Sequence, residues 1–511
     1  MSLSLWRTIG IIATCTLAMV ANRSSNSAVL ISLPTMEEDL NIPVAALDWV
    51  VAAYPLSNGC LLLLFGRLAD LYGRKLVFLL GSAWLLAFNL GCSFAQDPDT
   101  LDIMRGFQGL GGAATIPACL GILAHSFPPG TGIILGGLLT ELTPQSWRSP
   151  FYLGSGITAL AMVGAIFSFE RDQPSKEVDR RVDWIGASLV TSGLVLIVFV
   201  LGQGEVAPEQ WATPYIIALL IVGVILVLTF IVWQYHLERV QNATYQNKPY
   251  PSPHSRFLSL SQLVLRWLPS PPPIMKMSLW TRAHGRVAVV FCVAFLNWCC
   301  FQGWTYWVIL YYQNYVGYSP LRTTVRMIPM FVTGLLCNAF VALFVGYVPM
   351  TILVACGTAL TGCSALLFAV INPNAAYWAY GFPYAIIAVV GADFVFACGT
   401  MYVAKNCLPH EQSVGGAVFQ TMTQIGTALG VTVSTVVYDR VLASRAADHG
   451  ITISSSTGSD EPQWLTLPAY KAAHWSCFAF GMMCVRPDNH LPACRRYWPS
   501  RYALADIGRR H

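Results

Sequence analysis

Residues Gly66 to Lys75 read GRLADLYGRK, a short polar stretch held between two long apolar runs, Leu47 to Phe65 and Leu76 to Ala95. Each flanking run is about long enough to cross the ~30 Å hydrocarbon core as a helix. The decapeptide therefore reads as a tight turn between two membrane spans. Its glycines permit the sharp reversal. Asp70 sits among Arg67, Arg74 and Lys75, a charge cluster able to interact with helix ends.

Outward from this turn the apolar runs repeat. They occur at Ile9 to Leu33, Ile103 to Phe127, Phe151 to Phe169, Trp184 to Gly202, Tyr215 to Trp233, Val287 to Tyr311, Met327 to Val345, Met350 to Ile371, Tyr377 to Val403 and Val414 to Val437. Two more, Thr131 to Thr140 and Ala472 to Val485, fall where spans belong but look too short to cross. Of 511 residues, 55% are hydrophobic and 11% charged, whereas soluble domains carry roughly 25% charged residues. That composition excludes a soluble enzyme or a nucleic-acid binder and specifies an all-α polytopic membrane protein. Fifteen cysteines lie mostly inside apolar runs with no CxxC pair, so they read as small packing residues, not a metal site or disulfide framework.

Lys and Arg in short loops set orientation. The loop at Arg67, Arg74 and Lys75, the loop at Arg171 to Arg181 and the loop from Arg239 to Arg286 are basic, whereas Ala95 to Thr100 and Gly204 to Pro214 contain neither residue. The basic loops are accordingly expected in the cytoplasm. This requires a crossing or re-entry near Thr131 to Thr140, a compressed fifth span. The loop around Tyr250 to Pro273 contains RFLSLSQLVLRWL, Arg256 to Leu268, whose helical spacing suits a membrane surface or a disordered linker. Ile451 to Gln463 reads as an external loop.

GRLADLYGRK resembles the loop motif of the major facilitator superfamily, carried here by Gly66, Asp70, Gly73, Arg74 and Lys75. Leu47 to Asp70, Arg105 to Phe127, Asp183 to Gly204 and Gly391 to Gly430 look like segments of its fourteen-span drug:proton antiporters, particularly fungal members. The resemblance implies the major facilitator fold, two six-helix bundles plus two extra helices, with the fifth and fourteenth spans truncated in this chain. The division that follows is residues 1–182 as the N-terminal bundle, 183–235 as two linker spans, 236–286 as a cytoplasmic loop, 287–485 as the C-terminal bundle and 486–511 as a cytoplasmic tail. It further implies proton-coupled efflux of a small hydrophobic or amphipathic drug, toxin or secondary metabolite. The driving force would be the proton gradient, with no metal or organic cofactor and no nucleic-acid partner. A monomer in the plasma membrane, or the vacuolar membrane, is implied.

Charged side chains within spans cost about 2.5 to 3.5 kcal/mol by insertion scales and generally face a partner or cavity. Arg105 matches the family's buried arginine associated with proton coupling, although an arginine reaching for the interface is the competing reading. Asp393 is the acidic candidate for binding the proton, the competing reading being a carboxylate that caps or pairs with a neighbouring helix. Asn22, Arg23 and Asn26, in the polar run NRSSNS, read as lining a transport path or as interhelical glue. Asp48 reads as interfacial, and the aromatic set Trp298, Trp304, Tyr306, Trp307, Tyr311 and Tyr312 reads as lining a drug pocket or as an interfacial belt, the belt for its later members.

The pattern breaks in the fifth span. The family's glycine-rich antiporter motif survives only as Gly132, Gly136 and Gly137, with Ile133 where proline belongs. Two alternatives therefore stand beside efflux: a nutrient uptake symporter of the same superfamily, and a non-transporting remnant of a decayed or wrongly assembled gene. A membrane-embedded enzyme is disfavoured, because the nine histidines form no HxxxD or HxxHH group.

Overall fold

The computed structural model describes residues 5–40, 42, 47–120, 143, 145–169, 172, 181–204, 207, 209–245, 271–344, 347–407, 412–449 and 462–485. The glycines of the antiporter remnant, the amphipathic stretch at 256–268, the loop at 450–461 and the tail from 486 onward lie outside them. The described residues contain thirteen helices of twenty residues or more and no strand. In the first half these are α1 Leu5–Leu40, α2 Leu47–Tyr72, α3 Arg74–Ser93, α4 Pro98–Leu120 and α5 Ser149–Ser168, followed by the pair α6 Trp184–Gln203 and α7 Pro214–Tyr245. The second half comprises α8 Arg286–Leu310, α9 Pro320–Phe344, α10 Met350–Ala369, α11 Gly381–Asn406, α12 Gln412–Asp448 and α13 Gln463–Val485. Ten of these helices are apolar and long enough to span a bilayer by length and composition alone.

One correction concerns the last span. It is apolar in sequence only from Ala472, yet the helix begins at Gln463 and runs for 23 residues, about 34 Å at 1.5 Å per residue. Its first turns carry Gln463, Pro468 and Lys471, which hide it from a hydropathy reading. Tyr470 and His474 of this segment are buried among neighbouring helices, so protein instead of lipid surrounds its polar end.

Helix packing follows small residues. α4 lies against α2 and α3, because a Cβ on Gly109 would sit 2.5 Å from the Tyr54 carbonyl and one on Gly111 would sit 2.6 Å from the Leu85 nitrogen. In the second half α12 lies against α8, where a Cβ on Gly430 would stand 2.3 Å from the Cys299 carbonyl. Without a hydrophobic drive between helices in lipid, such backbone approach supplies the dispersion contact that holds them. α2 and α12 run together along the join between the two halves, and α6 packs on both of them.

Helix directions define two faces. The Lys75 ammonium donates to the carbonyls of Ile166 and Phe169 at 2.8 and 2.9 Å, so the start of α3 and the end of α5 share the basic face. At the other end, Arg148 donates to Asp39 at 2.8 Å and to the Ala95 carbonyl at 3.1 Å. The end of α1 and the start of α5 thus meet on the opposite face. α4 and α5 both run from the opposite face to the basic face; the compressed fifth span expected between them lies outside the described residues.

Candidate functional site

The turn between α2 and α3 is built around Gly73, whose φ of +111° is strained for any residue with a side chain. A Cβ there would also stand 2.2 Å from the Asp172 carboxyl carbon. Asp172 uses this closeness: its two oxygens accept from the backbone N–H groups of Lys75 and Leu76, each at 2.9 Å. These are orphan donors of the first turn of α3, where a carboxylate also meets the favourable end of the helix dipole. Gly66 lies within α2, with Pro117 of α4 nearest. The Asp70 side chain lies outside the described residues. Sequence reading missed Asp172, nearly one hundred residues from the motif it completes.

In the N-terminal half α1, α2 and α4 share a polar knot. The Tyr54 hydroxyl donates to the Asn22 amide oxygen at 2.6 Å, and the Asn22 amide nitrogen donates to the Thr115 hydroxyl at 3.0 Å. Gly112 makes room for it, since a Cβ there would fall 2.3 Å from the Asn58 amide nitrogen and 2.7 Å from the Asn22 oxygen. Asn58 itself is buried with both amide atoms unpartnered. Buried unpartnered atoms recur at Ser24 of α1, at Asn297 of α8 and at Thr421 of α12. Gln424 of α12 approaches α2 closely at Gly59. A polar residue of the second half thus stands against α2 next to Asn58. The polar residues interrupting the second span, Tyr54 and Asn58, were the legible signal that went unused. Arg23 and Asn26 stand on the same helix as Asn22, but their side chains lie outside the described residues.

Arg105 is 0% exposed, which overturns the interfacial alternative. Its Nε donates to the Val50 carbonyl at 3.0 Å and its Nη1 to Gln108 at 2.6 Å. Gln108 in turn donates to Asn89, and the guanidinium lies 5.1 Å from the centre of the Tyr54 ring. Asp393 is elsewhere: it lies on α11 and accepts from the Asn338 amide of α9 at 3.3 Å. The charged candidates thus occupy separate parts of the molecule, with Arg105 tying α2, α3 and α4 and Asp393 joining α9 to α11.

Two interfacial expectations are corrected. Asp48 is 1% exposed, and Trp304, Tyr306, Trp307, Tyr311 and Tyr312 are all buried. Trp307 stacks on Tyr438 at 4.4 Å and donates to Ser434 at 2.8 Å. Trp307 also meets Tyr470 of α13, Trp304 meets Tyr384 of α11, and Tyr311 and Tyr312 meet Phe368 of α10, an arrangement invisible in a linear sequence where aromatics near a span end resemble a belt.

The sequence model of the Major Facilitator Superfamily matches residues 15–233 and 184–431. The chain belongs to the major facilitator superfamily. It is a membrane transporter of that superfamily, integral and multi-pass. MFS-type transporter 1 of Pyricularia oryzae is 24% identical to it over 530 residues, covering 92% of this chain and 81% of that one. Efflux pump terJ of Aspergillus terreus is 27% identical over 450 residues, covering 83% and 79%. Among solved structures, the POT family transporter PepTSo superposes with a TM-score of 0.60 at 14% identity, covering 94% of this chain and 98% of that one. That likeness shows the fold alone. Within the superfamily fold, the Asn22–Tyr54–Thr115 knot and the unpartnered atoms of Asn58, Asn297 and Thr421 are the candidate substrate site, and the Gly66–Lys75 turn is the candidate gate.

Proposed function

We propose that this chain exports a small hydrophobic or amphipathic compound in exchange for protons, working as a monomer in the plasma membrane with its basic face in the cytoplasm. The observation that carries this reading is the set of buried, unpartnered polar atoms contributed by α1, α2, α8 and α12. Leaving such atoms unsatisfied costs about 1–3 kcal/mol each, so they are held for a substrate's polar groups. Apolar neighbours of the same helices suit the rest of an amphipathic molecule. The likeness to a relative named an efflux pump supports the export direction. The turn at Gly73, tied to the end of α5 through Lys75 and capped by Asp172, supplies a rigid lever for rocking one half against the other.

The test is accumulation of labelled lipophilic compounds in cells expressing the chain, with and without a protonophore. Expressing cells should hold less label than controls, and the protonophore should erase the difference. Export that persists after the proton gradient collapses overturns proton exchange. Higher accumulation in expressing cells overturns export in favour of uptake.

A further inference from the structure

The helix pair α6 and α7 is held at its two ends by different means. The pair itself is one tight unit: a Cβ on Gly193 would stand 3.0 Å from the Gly223 carbonyl, and one on Gly223 would stand 3.1 Å from the Gly193 carbonyl. On the basic face Asp183, 1% exposed, precedes α6. Its carboxylate accepts from the Gly186 N–H at 2.8 Å, from the Trp233 indole at 2.9 Å and from the Gln234 amide at 2.6 Å. The last two donors belong to α7. Gln234, itself buried, passes the connection on, because its amide oxygen accepts from the Met275 N–H at 3.2 Å. One turn further along α7, Glu238 accepts from the Ser278 N–H at 3.1 Å. The backbone from Ile274 to Trp280 is therefore strapped along the basic end of α7.

The strap continues into the second half. Ile274, Met275 and Leu279 are buried in an apolar cluster that includes Phe230 of α7 and Val287, Phe291 and Ala294 of α8. The helical turn Ser278–Thr281 lies against α8, and Trp280 meets Phe291 edge-on at 5.2 Å. Ala283, His284 and Gly285 then take left-handed backbone conformations, a sharp reversal that leads directly into α8. Towards the opposite face the pair is held otherwise. There α6 meets α2 through Phe199 and Trp49, with ring centres 5.8 Å apart, and a Cβ on Gly202 would stand 3.0 Å from the Trp49 indole nitrogen. Val198 of α6 joins Ala52, Leu56 and Cys60 of α2 and Ala428 of α12 in an apolar cluster. Capping explains the bond from Gly186 to Asp183, but not why the same carboxylate gathers two donors from α7, nor why α7 then holds two backbone groups of the strap. Bonds to a buried carboxylate resist separation, because each donor removed leaves a charged acceptor unsatisfied. Small apolar faces can slide on one another while staying covered.

We propose that Asp183, Gln234 and Glu238 are positioning residues of the transport cycle. Through the strap Ile274–Trp280 they fasten α6 and α7 to the second half, so that the pair travels with α8 and slides along α2 when the halves rock. Because α6 packs on both α2 and α12, a pair that moves in this way keeps one side of their join covered throughout the cycle. The inference rests on membership of the transporter superfamily, and it is independent of the direction of transport and of the ion that drives it.

The test measures distances between spin labels in the full-length protein in lipid nanodiscs. Labels are attached in pairs at three exposed positions, Tyr72 of α2, Val232 of α7 and Val289 of α8, through bio-orthogonal side chains because fifteen native cysteines would also react. The halves are set moving by loosening the seam on the opposite face. There Gln313 donates to the Ile31 carbonyl at 2.9 Å and Asn314 donates to Glu37 at 3.1 Å, both from the π-turn Tyr311–Tyr315 at the end of α8, and Gln313→Ala with Asn314→Ala removes both bonds. In that variant the Tyr72–Val232 and Tyr72–Val289 distances should shift from their wild-type values, and the Val232–Val289 distance should not. A shift in Val232–Val289, or an unshifted Tyr72–Val232, overturns the proposal. Adding Gln234→Leu and Glu238→Ala should broaden the Val232–Val289 distribution. Should that combination fail to insert, Glu238→Ala alone leaves Asp183 with its three donors and should broaden the distribution less. A distribution as narrow as the wild type's in every inserted variant overturns the assignment of these residues. Export takes no part in the readout, so a failed export assay overturns the export reading and leaves this inference standing.

Discussion

The turn on the basic face and the seam on the opposite face are built on contrasting plans. The turn draws its defining residues from ten consecutive positions, and one distant side chain, Asp172, finishes it. The seam joins Ile31 and Glu37 of α1 to Gln313 and Asn314 in the π-turn after α8, about 280 positions away. A turn must satisfy backbone geometry, which is local, so its residues are adjacent and its pattern is recognisable. A seam must bring side chains together across the join between halves, which only packing does, so each member looks ordinary in its own span. The contrast predicts that changes near the opposite face disturb how helices are held, whereas changes at the turn act through the backbone.

The largest effect is expected at Arg105, beside the seam. Arg105→Ala removes the partner of the Val50 carbonyl and of Gln108 and leaves Asp102 without its cation, a loss of about 3 to 5 kcal/mol by analogy with broken buried charge networks. Thermal unfolding in detergent should show it, and wild-type stability in this variant would break the idea that α2, α3 and α4 depend on that guanidinium. Gly73→Val comes next. It forces a side chain into a φ of +111° against Asp172, costing about 1 to 3 kcal/mol and reducing the amount of folded protein in the membrane. Gly73→Ala should suffer nearly as much, because the first added carbon already meets the carboxyl group.

Asp172→Ala tests the capping role alone. Loss of an acceptor for two first-turn N–H groups should cost about 1 kcal/mol, with Asp172→Asn recovering part of it; an unchanged melting temperature in Asp172→Ala would remove the cap from the account of the turn. The smallest effect belongs to Asp39, outside the bilayer on the opposite face. Hydrogen bonds from Trp147 and then Arg148 hold its carboxyl below the usual range. Its contribution is therefore complete above the unfolded-state value of about 3.9 and is lost as pH falls through the lower folded-state value. Because the pair is substantially exposed, solvent and salt limit it to less than about 1 kcal/mol. Asp39→Asn should narrow the acid-stability difference slightly, and added salt should do the same to the wild type.

Much of the architecture was readable because hydropathy and loop charge are summed along the chain. The spans at Leu76, Trp184 and Met350 match described helices within a few residues. Reading failed where burial in protein substitutes for apolar sequence. α13 carries Lys471 and His474 in its membrane-depth turns, and packing against α8, α10 and α12 shelters it. It failed similarly at Asp48 and Tyr312, which sit near span ends as interfacial residues do but are covered by neighbouring helices. Of the site, Asn22 and Arg105 were found because polar residues in apolar runs stand out. Tyr54 and Thr115 were not, since a hydroxyl at membrane depth is common and only its partner gives it meaning.

The sequence by itself determined that this is a polytopic helical membrane protein, which family it belongs to, and where its sharpest turn lies, since each depends on neighbouring residues or on sums over twenty of them. Only the tertiary structure decided that Asp172 completes that turn, that Arg105 and Asp393 lie apart, and that Gln313 and Asn314 at the end of α8 reach Ile31 and Glu37 of α1. Those outcomes depend on which helix faces meet and how closely, a matter of small-residue packing between segments hundreds of positions apart.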